Sequence, residues 1–414
     1  MSSPVKSACQ TAIFLLLLIS FPAPGIAQQA TTPPSPQWVA TFEASPATYL
    51  NIPPPPGIPE PPGPVTGTLR YRFGISMGGS QIVVRLSNEL GDKPLKIAGA
   101  SISIAGDEMN AVPGTMRRLT FNGKESIEIP AGEPVLSDPV QLQVASMSDL
   151  LGSVYVTDPV ALLPIGASTL LADGNQLMSE TFTNARKVAM RPIMTTVLVV
   201  PERPTRVVVA LGDSITDGVR NKPSEPHGWV VTLAGRMNAE KKADGLAVVS
   251  AGISGNQVLR SMMGPSALAR LDRDVLSVPG LGHVLLLEGI NDIGISGVTP
   301  LGTRPPLALD DLIAAYQQIA RRAHARGVKI LIGTLLPAEG SFYFSDDKEK
   351  LRQSVNAWIR TSKAFDGVID FEAVMRDPPH PSHMKAEFDS GDHLHPSAAG
   401  YKAMGEAINL SLFR

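Results

Sequence analysis

From Arg206 onward the chain repeats one two-part pattern, a short and almost purely apolar run followed by a longer amphipathic stretch. The apolar runs are VVVAL (207–211), AVVSA (247–251), HVLLLEG (283–289), KILIGT (329–334) and GVIDF (367–371). The amphipathic stretches fall near 228–240, 266–276, 310–326, 347–365 and 397–412. A strand apolar on both faces must be covered on both faces, and helices spaced between such strands supply the cover. The alternation therefore predicts an α/β domain over 205–414, with a parallel sheet between helical layers. In DDLIAAYQQIARRAHARG, Asp310 or Asp311 is placed to cap the helix and Gly327 to close it. Ligands bind such sheets at the carboxyl ends of the strands, so the loops that follow the apolar runs are where chemistry is to be sought.

Upstream the period is different. Between Gly67 and Val200 the apolar residues alternate in short runs such as TLRYRFGIS, QIVVRLSNEL, SISIAG, ESIEIP, VQLQVAS, SVYVTD and MTTVLVVP, separated by Gly, Pro, Asn and Asp. This predicts an all-β sandwich or jelly roll over 66–201. Only PERPTR (201–206) joins it to the α/β domain, too short for a flexible tether, so the two are expected to pack together. Every candidate catalytic residue lies in 205–414, and the site is expected to be built wholly from that domain. The preceding segment, 28–65, carries TTPPSPQ and NIPPPPGIPEPPGPV with little periodicity, and reads as a proline-stiffened linker or wrapping segment.

The first 27 residues contain Lys6, an apolar core from about Thr11 to Phe21, and small residues Gly25 and Ala27 placed for cleavage after Ala27. They read as a secretory signal peptide. The core is about half the ~20 apolar residues that a membrane span requires, so no stable membrane insertion is expected after cleavage. The single cysteine, Cys9, would leave with the signal. Export without disulfides suits a secreted or periplasmic bacterial protein. With a net charge of −2 for the whole chain, no nucleic-acid partner is expected.

Four loops stand out, each with an ordinary structural reading when taken alone. GDSIT (212–216) is a strand-end turn with helix-capping residues, and SAGISGN (250–256) holds two turn-permitting glycines. LEGIND (287–292) ends in an Asx-type turn, and SGDHLHPSAAGY (390–401) leads into the last helix. Together they demand more. Successive loops of one parallel sheet bring Ser214, Gly255 and Asn291 to one edge, and the last loop returns Asp392 and His395 to it. Serine attack on an acyl carbon needs a base, a carboxylate to orient that base, and donors for the oxyanion. Asp392 and His395 are three residues apart, so one turn of backbone can point both inward. The oxyanion donors expected are the backbone N–H groups of Ser214 and Gly255 and the side-chain amide of Asn291.

GDSIT, the glycine of SGN, the asparagine of GIND and DHLHP, in this order, resemble the four blocks of the SGNH (GDSL-type) hydrolase superfamily of esterases and lipases, over about 205–414. The resemblance implies a flavodoxin-like three-layer α/β/α fold, with Ser214 as nucleophile, Asp392 and His395 completing the triad, and Gly255 and Asn291 at the oxyanion. The sequence departs from the pattern in reading GDSI for GDSL, and EGIND where many members have a second glycine, which leaves Glu288 either shaping the pocket or ending the strand. The N-terminal β region resembles, in general terms, accessory domains of secreted carbohydrate esterases.

Other features have plainer readings. His380, His383 and His393 lack an HExxH helix or cysteine pair to complete a zinc site, so neither metal nor other cofactor is expected. RSMMGPS (260–266) is either helix-entry packing or the floor of an acyl pocket. No Gly-Lys-Ser/Thr follows GDSIT, which argues against a nucleotide cradle. The expected protein is a metal-independent serine esterase acting through an acyl-enzyme on an acylated small molecule or polysaccharide, foremost an O-acylated carbohydrate. A lipid or aryl ester is the alternative substrate, and a binding protein with a degenerate site the non-enzymatic one.

Overall fold

The computed structural model describes Met1 and residues 37–48, 64–160, 168–218, 228–240, 245–299 and 302–414. The expected signal at 1–27 and much of the proline-rich segment lie outside these residues apart from Met1. The C-terminal sheet runs β15 (Gly245–Gly252), β14 (Thr205–Gly212), β16 (Leu281–Leu287), β19 (Lys329–Gly333) and β20 (Gly367–Ile369), all parallel. In chain order this is 2-1-3-4-5. Gly212 lies level with Gly252 on one side and Leu287 on the other, so three strands end in line and their loops emerge side by side.

The apolar runs form central strands because successive side chains enter two different cores. Val207, Val209 and Leu211 belong to one cluster with Leu312 and Ile319 of α5 (Leu309–His324) and Val355 of α6 (Asp346–Thr361). Val208 and Ala210 belong to the other, with Trp229 and Leu233 of α2 (Gly228–Ala239) and Tyr401 and Met404 of α8 (Ala398–Ala407). The remaining helices are short: α1 (Ser214–Asp217), α3 (Ala267–Leu271), α4 (Ile290–Gly294) and α7 (Phe371–Met375). The capping expected of Asp310 or Asp311 is not found. α5 starts after Ala308 with no side-chain cap, and both aspartates sit in its first turn, where they complement the helix dipole. Gly327 does follow its other end, in the left-handed region at φ 69°. The stretch expected as one helix over 397–412 breaks after Ala407 and resumes as a 3₁₀ turn at Leu410–Phe413.

The N-terminal region is antiparallel throughout. One sheet runs β1 (Val39–Glu43), β13 (Met194–Val199), β3 (Gly79–Ser87) and β8 (Pro134–Leu136), with β9 (Val140–Val144) also on β3. The other runs β12 (Ala185–Ala189), β11 (Ser168–Ala172), β2 (Val65–Gly74), β10 (Asp149–Val160), β5 (Gly99–Ile104) and β6 (Arg117–Leu119). A two-stranded ribbon joins β4 (Leu95–Ile97) to β7 (Ile127–Ile129), and in the C-terminal half another joins β17 (Val298–Thr299) to β18 (Gly302–Thr303). Phe42 of β1 in one sheet stacks on Phe73 of β2 in the other, ring centroids 4.4 Å apart.

Strand β1 corrects the reading of 28–65 as linker throughout. Val39 and Ala40 are fully buried, and the Ala40 N–H donates to Pro279 O across to the α/β half of the chain at 3.1 Å. The proline count on either side masks this short apolar run, which the core stabilises by burial rather than by local pattern. Leu69, Val84 and Val197 share one continuous core with Val207, Val249 and Leu271, and residues Gln37–Arg414 form a single compact unit.

Candidate active site

The turn after β14 is built by crowding. A Cβ at Gly212 would strike the hydroxyl of Thr216 and the carbonyl of Leu287, so only glycine lets the strand end close against β16. Asp213 then caps α1, its Oδ1 accepting from the Ile215 N–H at 2.9 Å. Burial pushes the Asp213 carboxyl up to about 7, against the pull of that bond and of His395. Ser214 opens α1, 7% exposed, with its hydroxyl 2.8 Å from His395 Nε2.

His395 is held from behind. Its Nδ1 lies 2.8 Å from Asp392 Oδ2, while Asp392 Oδ1 accepts from the backbone N–H groups of His395 at 2.8 Å and Leu394 at 3.1 Å. Partial burial works against the Asp392 charge. The bonds from the His395 ring and backbone outweigh it and hold the carboxyl well below the usual range. With Nδ1–H donated to the carboxylate, Nε2 presents its lone pair to the Ser214 hydroxyl.

Gly255 has φ 73°, and a Cβ there would come within 2.7 Å of Met263 Cγ, so glycine is required twice over. Among the described residues no protein acceptor takes the N–H of Ser214 or of Gly255. Asn291, buried at the start of α4, donates through Nδ2 to Asn256 O at 2.9 Å, which ties it to the same turn. Its Oδ1 accepts from the Tyr343 hydroxyl at 2.6 Å, so the amide orientation is set and its second N–H is left for a ligand. The structure thus joins Ser214, His395 and Asp392 in one chain of hydrogen bonds, with Asn291 bound to the Gly255–Asn256 turn beside them.

The sequence model of the GDSL-like lipase/acylhydrolase family matches residues 210–403, which hold all of these side chains. Residues 210–403 are a GDSL-like lipase/acylhydrolase domain. The protein is a carboxylic ester hydrolase. No curated protein matches the chain. Among solved structures it is similar to an acetylxylan esterase from Geobacillus stearothermophilus, at 23% identity over 51% of this chain and 95% of that one, with a TM-score of 0.40. It is also similar to a GDSL-like lipase from Bacteroides thetaiotaomicron, at 20% identity over 50% and 87% with a TM-score of 0.37. A third is an α/β hydrolase enzyme from the metagenome of Lake Arreo, Spain, at 20% identity over 51% and 96% with a TM-score of 0.40.

Several residues of the GDSL-like domain were not legible as site components. Arg270, buried in α3, donates to Asn256 Oδ1 at 2.9 Å, Ala251 O at 2.6 Å and Gly212 O at 3.0 Å, so one guanidinium braces the first two loops. Glu288 follows β16 directly and is 1% exposed; its carboxyl turns inward, 3.8 Å from Arg270, and neither oxygen has a hydrogen-bond partner among the described residues. Burial, with Asp213 nearby, pushes its pKa well above the usual carboxyl range, against the pull of Arg270. Asp292 accepts from the N–H groups of Val258 and Leu259 at 2.8 and 3.0 Å and fixes the strand-to-helix path after Asn256. Met263 of RSMMGPS packs under Gly255, which makes it a wall of the candidate oxyanion turn.

The three histidines weighed as metal ligands each pair with one carboxylate: His380 with Asp377, His383 with Glu339, and His393 with Asp389. Among the described residues no group of three His, Cys, Asp or Glu side chains is arranged to hold a metal ion, and no helix is long and apolar enough to cross a membrane.

Proposed function

We propose that Ser214 is the nucleophile of a serine esterase, with His395 as its general base and Asp392 as the group that orients and stabilises the imidazolium. The observation that carries this reading is the continuous chain from Ser214 Oγ through His395 to Asp392, with both links at 2.8 Å. The Ser214 hydroxyl gives its proton to His395 Nε2 as Oγ bonds to the ester carbon. The oxyanion takes hydrogen bonds from the N–H groups of Ser214 and Gly255 and from the free amide N–H of Asn291. His395 then returns the proton to the departing alcohol, and water attacks the acyl-serine by the same route. Each donor of this kind is worth about 10² to 10³ in rate.

The finer reading is a secreted deacylase of O-acylated carbohydrate. Lys6, the apolar core after Thr11 and Ala27 support export, and an added all-β region supports a polymeric substrate. The 2-1-3-4-5 order supports a flavodoxin-like arrangement, and the Phe42–Phe73 contact between antiparallel sheets supports a β-sandwich at 66–201, to which β1 adds from 39–43. We further assign 1–27 as signal, 28–65 otherwise as linker, and 205–414 as the catalytic domain.

Ser214→Ala tests the nucleophile. Turnover of p-nitrophenyl acetate by the purified variant should fall by about 10⁶ with the fold unchanged. A variant that keeps a tenth of the activity overturns the assignment. The substrate reading is tested by a series of p-nitrophenyl esters: a steep preference for acetate supports carbohydrate deacetylation, and a maximum among long acyl chains overturns it in favour of lipid.

A further inference from the structure

The first two hydrolase loops, braced from within by Arg270, have a second brace. α1 is a single turn, far too short to keep its position by its own hydrogen bonds. One of the contacts that fix it comes from outside the GDSL-like domain. Arg191, in the segment between β12 and β13, is 8% exposed and reaches three separate parts of the chain. Its Nη1 donates to both carboxylate oxygens of Asp217 at 3.0 and 3.1 Å, in the same turn of helix as Ser214. Its Nη2 donates to Gly252 O at 2.7 Å, the last residue of β15 before the Gly255 turn. Its Nε donates to Ser45 O at 2.8 Å, just after β1.

The two loops that Arg191 spans already touch. Ser250 Oγ donates to Thr216 O at 3.1 Å, Ile253 N donates to Gly212 O at 3.0 Å, and a Cβ at Gly252 would collide with the backbone of Asp217. A planar guanidinium can satisfy a carboxylate and two carbonyls at fixed angles, whereas an ammonium is a point charge without that fork. We infer that Arg191 is a positioning residue for ester hydrolysis, setting the distance between the Ser214 nucleophile and the Gly255 N–H, and that the N-terminal β region is therefore a working part of the catalytic apparatus. The inference rests on the reading of Ser214 as nucleophile. It corrects the expectation that the site is built wholly from 205–414.

The test counts sites before comparing rates. Wild type, Arg191→Met, Arg191→Lys and Asp217→Asn are purified as full chains and titrated to completion with a fluorophosphonate, which counts competent serines. Turnover of p-nitrophenyl acetate is then expressed per titrated site. Displacement of a reacting group by a fraction of an ångström to an ångström from a remote change costs up to about 100-fold. Arg191→Met should therefore lose about 10- to 100-fold in kcat per site with KM little changed, and Arg191→Lys should recover only a minor part of it. A merely structural tether would lower the melting temperature and the number of titratable sites but leave kcat per site intact. A kcat per site within twofold of wild type in Arg191→Met overturns the inference. If that variant does not fold, Asp217→Asn decides: a severalfold loss per site sustains the inference, and an unchanged kcat overturns it. Failure of the nucleophile reading looks different, because wild type would then take up no fluorophosphonate and Ser214→Ala would stay active.

Discussion

Removing one oxygen from Tyr343 isolates how Asn291 is aimed. The Tyr343 hydroxyl donates to Asn291 Oδ1 at 2.6 Å, both groups buried, while Asn291 Nδ2 donates to Asn256 O at 2.9 Å. The Tyr343 ring covers Gly294 so closely that a Cβ there would overlap it, so a phenylalanine ring stays in place and only the hydrogen bond is lost. Tyr343→Phe leaves Asn291 Oδ1 buried without a partner, at a cost of about 1–3 kcal/mol. The amide keeps one anchor and loses the other. If the whole cost is felt in the transition state, the loss is roughly 5- to 150-fold at about 1.4 kcal/mol per factor of ten. Deleting the donor outright in Asn291→Ala sets the ceiling at about 10² to 10³. The assay is kcat and KM for p-nitrophenyl acetate in a double-mutant cycle. Tyr343→Phe should lower kcat by about tenfold or more in the wild-type background and scarcely at all in the Asn291→Ala background. Burial pushes the Tyr343 hydroxyl well above the ordinary tyrosine range, so it remains a donor and the loss should be the same from pH 6 to pH 9. Wild-type kcat in Tyr343→Phe, or an undiminished further loss on top of Asn291→Ala, would refute the reasoning.

Two further outcomes follow from the same site. Gly255→Ala places a side chain at φ 73° against Met263, so a loss of at least about 1–2 kcal/mol of stability is expected from the left-handed backbone alone, together with reduced turnover; chemical denaturation showing no loss would contradict the geometry. Asp213, raised to about 7 from an ordinary value near 3.9, contributes stability that is full below the unfolded value and is lost as pH rises from about 4 through 7. Asp213→Asn, which can still accept from Ile215, should therefore gain melting temperature relative to wild type between pH 5 and pH 8, and a pH-independent difference would show that burial does not raise this carboxyl.

What could be read in one dimension was what is local in one dimension. GDSIT after an apolar run announces its strand-end turn because strand, glycine and cap are contiguous. Asp392 and His395 announce each other because three residues of backbone suffice to join them. The five parallel strands were legible for the same reason, since burial on both faces writes itself as an unbroken apolar run. The partners that aim these groups are not local. Tyr343 reaches Asn291 across 52 residues of sequence, and Arg191 reaches Asp217 across 26 and Ser45 across 146. A lone tyrosine or arginine carries no pattern, because its role is set by which acceptors the fold brings within 3 Å of it. Strand β1 was hidden among prolines for a related reason, since five residues become a strand only when β13 supplies their hydrogen bonds. Glu288 looked like the end of a strand, and only the packing around it shows a buried acid facing Arg270. The chemistry of the site is encoded in short motifs that the backbone itself can position, whereas its alignment depends on long-range contacts that do not exist until the antiparallel sheets and the hydrolase sheet share one core.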